Sequence, residues 1–165
     1  VITPGSANRH AAAFFRAAID AAGRLRRRAL LVTGYGDHVP HPLPTHAHHA
    51  TFAPFSTLFP RVAAVVHHGG IGTCAQGLAA GVPQLVMPMG FDQPDNAARL
   101  VRLGVGHVIR PAQFTAPAVA AALDRLLSSA AVADRCAQWR REICASEAAA
   151  RTCDLIEAQF RGAAD

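Results

Sequence analysis

The segment Val66-His67-His68-Gly69-Gly70-Ile71-Gly72-Thr73 gathers residue types that can hold an anion. An apolar run ends in two histidines, passes through glycines and opens into a helical pattern. Glycines let a backbone approach phosphate closely, and a helix start offers unpaired N–H groups at the positive end of its dipole. Thr73 adds a hydroxyl donor, and an imidazole N–H can point at the same anion. Adjacent strand residues face opposite sides of a sheet, so one of His67 and His68 reaches the ligand and the other turns away. Rival phosphate motifs fail on detail: there is no Gly-Lys-Ser/Thr, and the spacing is not Gly-x-Gly-x-x-Gly with an acidic residue closing the next strand. For the glycines alone, a tight structural turn remains the plain alternative.

A second patch, Pro88-Met89-Gly90-Phe91-Asp92-Gln93-Pro94-Asp95-Asn96, follows another apolar run. Asp92 and Gln93 side by side suit hydrogen bonding to several hydroxyls, as a sugar requires. Helix capping by Asp92 or Asp95 is the competing reading. The loop histidines His38, His41, His46, His48 and His49 are separated by prolines with no Cys or acid cluster, so they read as a solvated loop rather than a metal site. His10 and His107 read as structural. Trp139, at helical spacing with Cys136 and Ile143, reads as core or interdomain packing.

Both patches need strands ending on one rim of a sheet. The spacing predicts strands at Val1–Thr3, Ala29–Thr33, Thr51–Ala53, Val62–His67, Gln84–Met87 and Gly106–Ile109. It predicts helices over 8–28, Thr73–Ala80, Asp95–Leu103, Thr115–Ser128, Ala133–Cys144 and Ala148–Phe160. A helical turn is expected at Thr57–Phe59, and the Pro- and His-rich stretch 37–49 reads as a loop. Val62–His67 is apolar throughout, as a parallel strand covered on both faces should be. This alternation gives an α/β, Rossmann-like parallel sheet with helices on both faces, and ligands at the carboxyl ends of the strands.

Length and composition agree with one such domain. The chain has 165 residues, of which 51% are hydrophobic and 16% charged, so it is neither disordered nor collagen-like. No apolar run reaches the roughly 18 residues of a membrane span. The chain begins with Val1 in a strand-like run, which suggests a piece of a longer polypeptide. Net charge is +5, carried by arginines such as Arg24, Arg26, Arg27 and Arg28 at a predicted helix end, where they complement the helix dipole. No aromatic residues interleave with them, so nucleic acid is not an expected partner. Cys74, Cys136, Cys144 and Cys153 show no metal-ligand spacing and read as buried or half-buried free thiols in a reducing cytoplasm.

The run from His67 through Gln93, with Gly81-Val82-Pro83, Pro88 and Asp92-Gln93 in register, resembles the donor-binding signature of family 1 nucleotide-sugar glycosyltransferases. Phe52-Ala53-Pro54-Phe55 upstream extends the match. The resemblance implies one half of a GT-B fold, the C-terminal donor-binding domain over residues 1–165, facing an N-terminal acceptor domain of the same chain. The wording is similar to bacterial members acting on lipid, sterol or macrolide-like acceptors, particularly rhamnosyltransferases. It implies that His68 contacts the donor diphosphate while His67 is its variable neighbour. Gly70, Gly72 and Thr73 match the phosphate cradle, and Ser6 the hydroxyl on the first strand's turn. Phe52 falls where an aromatic stacks on the nucleobase, the Ala53 backbone would meet the base edge, and Asp92 with Gln93 matches the pair that binds the donor sugar. Gln76 stands where plant members carry a glutamate on the ribose, and Phe55 replaces a common glutamine.

The implied reaction is inverting hexosyl transfer from a UDP- or dTDP-sugar to a hydroxyl of a small or lipid-like acceptor. It uses no metal and no other cofactor, and the general base sits in the N-terminal domain, so no catalytic residue is expected here. Any peripheral membrane contact would come through that other half. Two further readings stand beside this one. The chain could be a stand-alone binding subunit acting with a separate catalytic partner chain, or a nucleotide-sugar sensor without transfer chemistry.

Overall fold

The computed structural model describes residues 1–5, 11–143 and 145–161. Its core is a six-stranded sheet of β1 (Ile2–Thr3), β2 (Ala29–Val32), β3 (Ala47–Ala50), β4 (Val65–His67), β5 (Gln84–Val86) and β6 (Gly106–Val108). The spatial order is β3-β2-β1-β4-β5-β6, and every pair is parallel. Strand order therefore reverses between β1 and β4, where Ile2 pairs with Val66 and Thr3 with His67. In open α/β sheets, the crevice outside such a reversal is where ligands bind.

The helices are α1 (Ala12–Arg24), α2 (Phe55–Leu58), α3 (Ile71–Ala80), α4 (Gln93–Arg102), α5 (Ala116–Ser128), α6 (Ala130–Glu142) and α7 (Ala145–Arg161). Successive strand residues send their side chains to opposite faces. Val66 and Leu85 join the core with Phe14, Phe15 and Ile19 of α1 and Val119 and Leu123 of α5. Val86 instead packs with Cys74 of α3, Leu100 of α4 and Cys136 of α6. Helices thus cover both faces, as the sequence pattern requires. Trp139 completes the second cluster, its indole N–H donating to the Leu103 carbonyl at 3.2 Å.

Helix boundaries follow local chemistry. Thr115 accepts from the Ala118 N–H at the start of α5, and Ser129 accepts from the Val132 N–H at the start of α6. That serine starts α6 directly after α5, three residues before the spacing predicts. Gly81, at φ 69°, ends α3 in the left-handed conformation that glycine adopts at least cost.

Three expectations need correction. The predicted strand Thr51–Ala53 is displaced to Ala47–Ala50, which begins within the stretch 37–49 read as a loop. Two histidines of that stretch are structural rather than solvated. His46 Nε2 lies 3.2 Å from the Ile19 carbonyl and His49 Nε2 lies 2.9 Å from that of Thr33. Strand β4 starts at Val65 rather than Val62, because Phe59–Arg61 forms a 3₁₀ turn around Pro60 and Val62 closes it.

Cys74 and Cys136 are buried, and burial pushes both thiols up to about 11. Cys153 departs from the expectation: it is exposed on α7, a helix whose Leu155, Ile156 and Phe160 also face outward. Cys144, Ser6 and His10 lie outside the described residues. Among the described residues no single helix is long and apolar enough to cross a membrane.

Candidate functional site

His67 and His68 part at the end of β4, as alternation along a strand requires. His67 is fully buried, and its two ring nitrogens are both engaged. The Gly69 N–H donates to Nδ1 at 3.1 Å, so the proton resides on Nε2, which donates to Gln84 Oε1 at 2.9 Å. Gln84 Nε2 in turn donates to the Cys74 carbonyl at 3.3 Å. Burial, assisted by the neighbouring His68, lowers the pKa of His67 to about 3 against the opposing hydrogen bond to Gln84. His67 is a neutral strut holding the turn.

His68 turns the other way and lines a cleft of about 690 Å³. Its Nδ1 is buried and has no hydrogen-bond partner among the described residues. A buried polar atom in that state calls for a partner. Burial lowers the pKa of this imidazole, and the Asp92 carboxylate opposes that shift. Glycines make room for the ring. A Cβ at Gly70 would stand 2.5 Å from its Nε2, and one at Gly5 would stand 2.7 Å from the same atom. The family resemblance implies a phosphate cradle at Gly70; the need for glycine beside the imidazole, at Gly70 and at Gly5, emerges only from the structure.

Gly70 is also the N-cap of α3, and among the described residues no side chain caps that helix. Its first turn and the dipole end therefore face the cleft. The same cleft is lined by Gly72, Thr73 and Gln76 of α3 and by Phe52 and Ala53, which follow β3. Phe52 is 78% exposed, its ring free to take a planar partner. Phe55 is stacked on Phe59 at 4.5 Å between centroids, so it is committed to packing. Gln76 folds back on the Gly72 carbonyl at 3.4 Å.

Asp92 and Gln93 sit on the same rim but do not line this cleft. Gln93 Oε1 accepts from the Met89 and Gly90 N–H groups at 2.8 and 3.3 Å, which fixes the loop after β5. Asp92 occupies the N-cap position of α4, yet its side chain caps nothing; Oδ2 instead accepts from Asn96 Nδ2 at 2.8 Å. Asn96, given no role by the sequence, is buried and also donates to the Gly69 carbonyl at 2.9 Å. Its signal was available: a polar residue in the apolar stripe of α4 that includes Ala97 and Leu100. No group of three His, Cys, Asp or Glu side chains among the described residues is arranged to hold a metal ion.

Residues 20–157 match the model of a family described as erythromycin biosynthesis protein CIII-like, C-terminal domain. The chain belongs to that family. The EryCIII-like domain is 40% identical over 141 residues to the O-mycaminosyltylonolide 6-deoxyallosyltransferase of Streptomyces fradiae, covering 85% of this chain and 32% of that protein. Among solved structures it is similar to the calicheamicin glycosyltransferase CalG4, with a TM-score of 0.83 and 28% identity over 99% of this chain and 43% of the other. The glycosyltransferase VinC, solved in complex with dTDP, gives a TM-score of 0.70 at 26% identity over 86% of this chain and 36% of the other. The EryCIII-like domain thus has the fold of one half of the GT-B glycosyltransferases, and it spans about a third of the curated Streptomyces fradiae relative.

Proposed function

We propose that this chain is the donor-binding domain of an inverting, metal-independent glycosyltransferase that moves a hexose from a UDP- or dTDP-sugar to a hydroxyl of a small or lipid-like acceptor. One observation carries the reading. Phe52, Ala53, His68, Gly70, Gly72, Thr73 and Gln76 line a single cleft at the strand-order reversal between β1 and β4.

In this arrangement the diphosphate takes the start of α3, with Thr73 and His68 beside it. The base stacks on Phe52, with its edge against the Ala53 backbone. The hexose projects towards the loop that carries Asp92 and Gln93. As the acceptor oxygen attacks the anomeric carbon, the bond from that carbon to the diphosphate oxygen breaks. Negative charge then grows on the leaving phosphate. Helix N–H groups, the threonine hydroxyl and the imidazole are donors placed where that charge develops. They fill the role a divalent cation plays elsewhere, which supports the metal-free reading. The acceptor proton goes to a base outside these residues, in an N-terminal acceptor domain. The name of the Streptomyces fradiae relative supports a 6-deoxyhexose as the transferred sugar, and the VinC complex supports dTDP as the carrier. The buried thiols Cys74 and Cys136 fit a reducing cytoplasm.

Calorimetric titration of the chain with UDP and dTDP, with and without EDTA, tests the proposal. Binding of at least one nucleotide, unaffected by chelator, is the expected result. Affinity abolished by EDTA refutes the metal-free mechanism, and no binding of either nucleotide refutes the donor site.

A further inference from the structure

We propose that Asn96 is the positioning residue of the sugar subsite, tying the Asp92 carboxylate to the diphosphate turn so that the two halves of the donor meet their partners at a fixed spacing. The inference rests on the donor-binding reading above. Asn96 is 8% exposed and is the one buried polar residue of α4 among those described. Asparagine is a poor helix former, and a buried amide requires its hydrogen bonds to be satisfied. Here Nδ2 directs one bond to the Gly69 carbonyl at 2.9 Å and another to Asp92 Oδ2 at 2.8 Å. Gly69 lies in the turn after β4, and Asp92 in the loop after β5. A single planar amide therefore spans the two loops that flank the donor in the proposed arrangement.

The contact has a chemical consequence. Asp92 is exposed, and an exposed carboxylate alone would sample several rotamers. Holding Oδ2 selects one of them and leaves Oδ1 for a sugar hydroxyl. The backbone agrees with this division of labour. Gly69 is at φ 95°, and a Cβ there would stand 3.1 Å from the Gln93 carbonyl oxygen, so the turn passes close to the start of α4 and only glycine leaves room for that approach. The Asp92 side chain makes no cap bond of its own. Capping therefore does not explain the pair, and positioning does.

The test is calorimetry on the 165-residue chain with dTDP and dTDP-glucose, for wild type, Asn96→Ala, Asp92→Asn and the double variant. Wild type should prefer the sugar nucleotide. Asn96→Ala should lower that preference by about tenfold, the scale of one hydrogen bond to a charged group, while dTDP affinity changes by less than about threefold. The double variant should lose no more than Asp92→Asn alone. Asn96→Leu, which keeps the buried volume in the apolar stripe, should show the same loss of preference and guards against a folding defect. Equal weakening of both ligands, or additive losses in the double variant, overturns the positioning role. Equal affinity of wild type for the two ligands overturns it as well, because Asp92 then binds no sugar. A wild type that binds neither ligand instead overturns the donor-binding reading itself.

Discussion

Substituting Gly70 by alanine isolates what the imidazole of His68 contributes. Gly70 has φ −61° and ψ 138°, a conformation open to any residue, so alanine strains no backbone there. The effect must come from the new Cβ, which would stand 2.5 Å from His68 Nε2 and 2.9 Å from Cε1. Nonbonded heavy atoms of this kind settle near about 3.5 Å, so the ring edge has to retreat by roughly 1 Å. Gly5 restricts the retreat, since its backbone approaches the same edge of the ring. A hydrogen bond to a charged group contributes about 1.5–3 kcal/mol, so a displaced imidazole should weaken dTDP binding by roughly ten- to a hundredfold. The new methyl group would also weaken binding if it touched the ligand itself. A double-mutant cycle separates the two routes. With His68→Ala already in place the ring is gone, and Gly70→Ala should cost less than about threefold more. Calorimetric titration with dTDP measures the coupling, with melting temperatures checking that the fold persists. Independent, additive losses would refute the account of Gly70 as the space for the ring.

Stability should respond to pH through His67. Its folded pKa is lowered by burial from 6.5 to about 3, so between these values the unfolded chain binds a proton that the folded chain does not. Stability should therefore fall as pH drops from 6.5, by at most roughly 1.4 kcal/mol per pH unit. Urea denaturation across that window should show the slope and a flatter one for His67→Gln; an unchanged slope refutes the assignment. Phe52→Ala should leave the melting temperature unchanged and weaken dTDP by about 1–3 kcal/mol, the scale of base–aromatic stacking, while sparing inorganic pyrophosphate. Equal loss of both ligands would remove Phe52 from the base site.

Elements with internal periodicity and explicit punctuation were legible from residue types alone. Helix α3 lies between Gly70 and Gly81, and β5 follows Pro83, so both boundaries carry their own chemistry. Strand β3 was not legible, because its pattern Ala47-His48-His49-Ala50 is neither apolar nor β-branched. Only pairing with β2, at Ala29–Ala47 through Val32–Ala50, makes it a strand. Such a preference lives in the partner and not in the segment. The site divides in the same way. Opposite roles for His67 and His68 follow from strand alternation, whereas the Gln84 partner of His67 and the Asn96 bridge depend on which loops the sheet brings together. The proposed roles of Asp92 and Gln93 as sugar ligands rest on their side-by-side polar chemistry and on the family resemblance, and neither side-chain capping by Asp92 nor cleft lining describes where they sit.

The hydrogen-bonded path from the Gly69 amide through His67 and Gln84 to the Cys74 carbonyl has a dynamic consequence. Ligand-binding loops are commonly drawn from the least stable parts of a protein and open locally many times before the molecule unfolds. Here the turn is anchored to side chains that are themselves completely buried at the centre of the sheet. Releasing the Gly69 amide means breaking the core beneath it, so its hydrogen should exchange with solvent only as the whole domain opens. Ordering of this turn is then complete when the chain has folded, and a ligand arriving at the cleft would meet a surface already set.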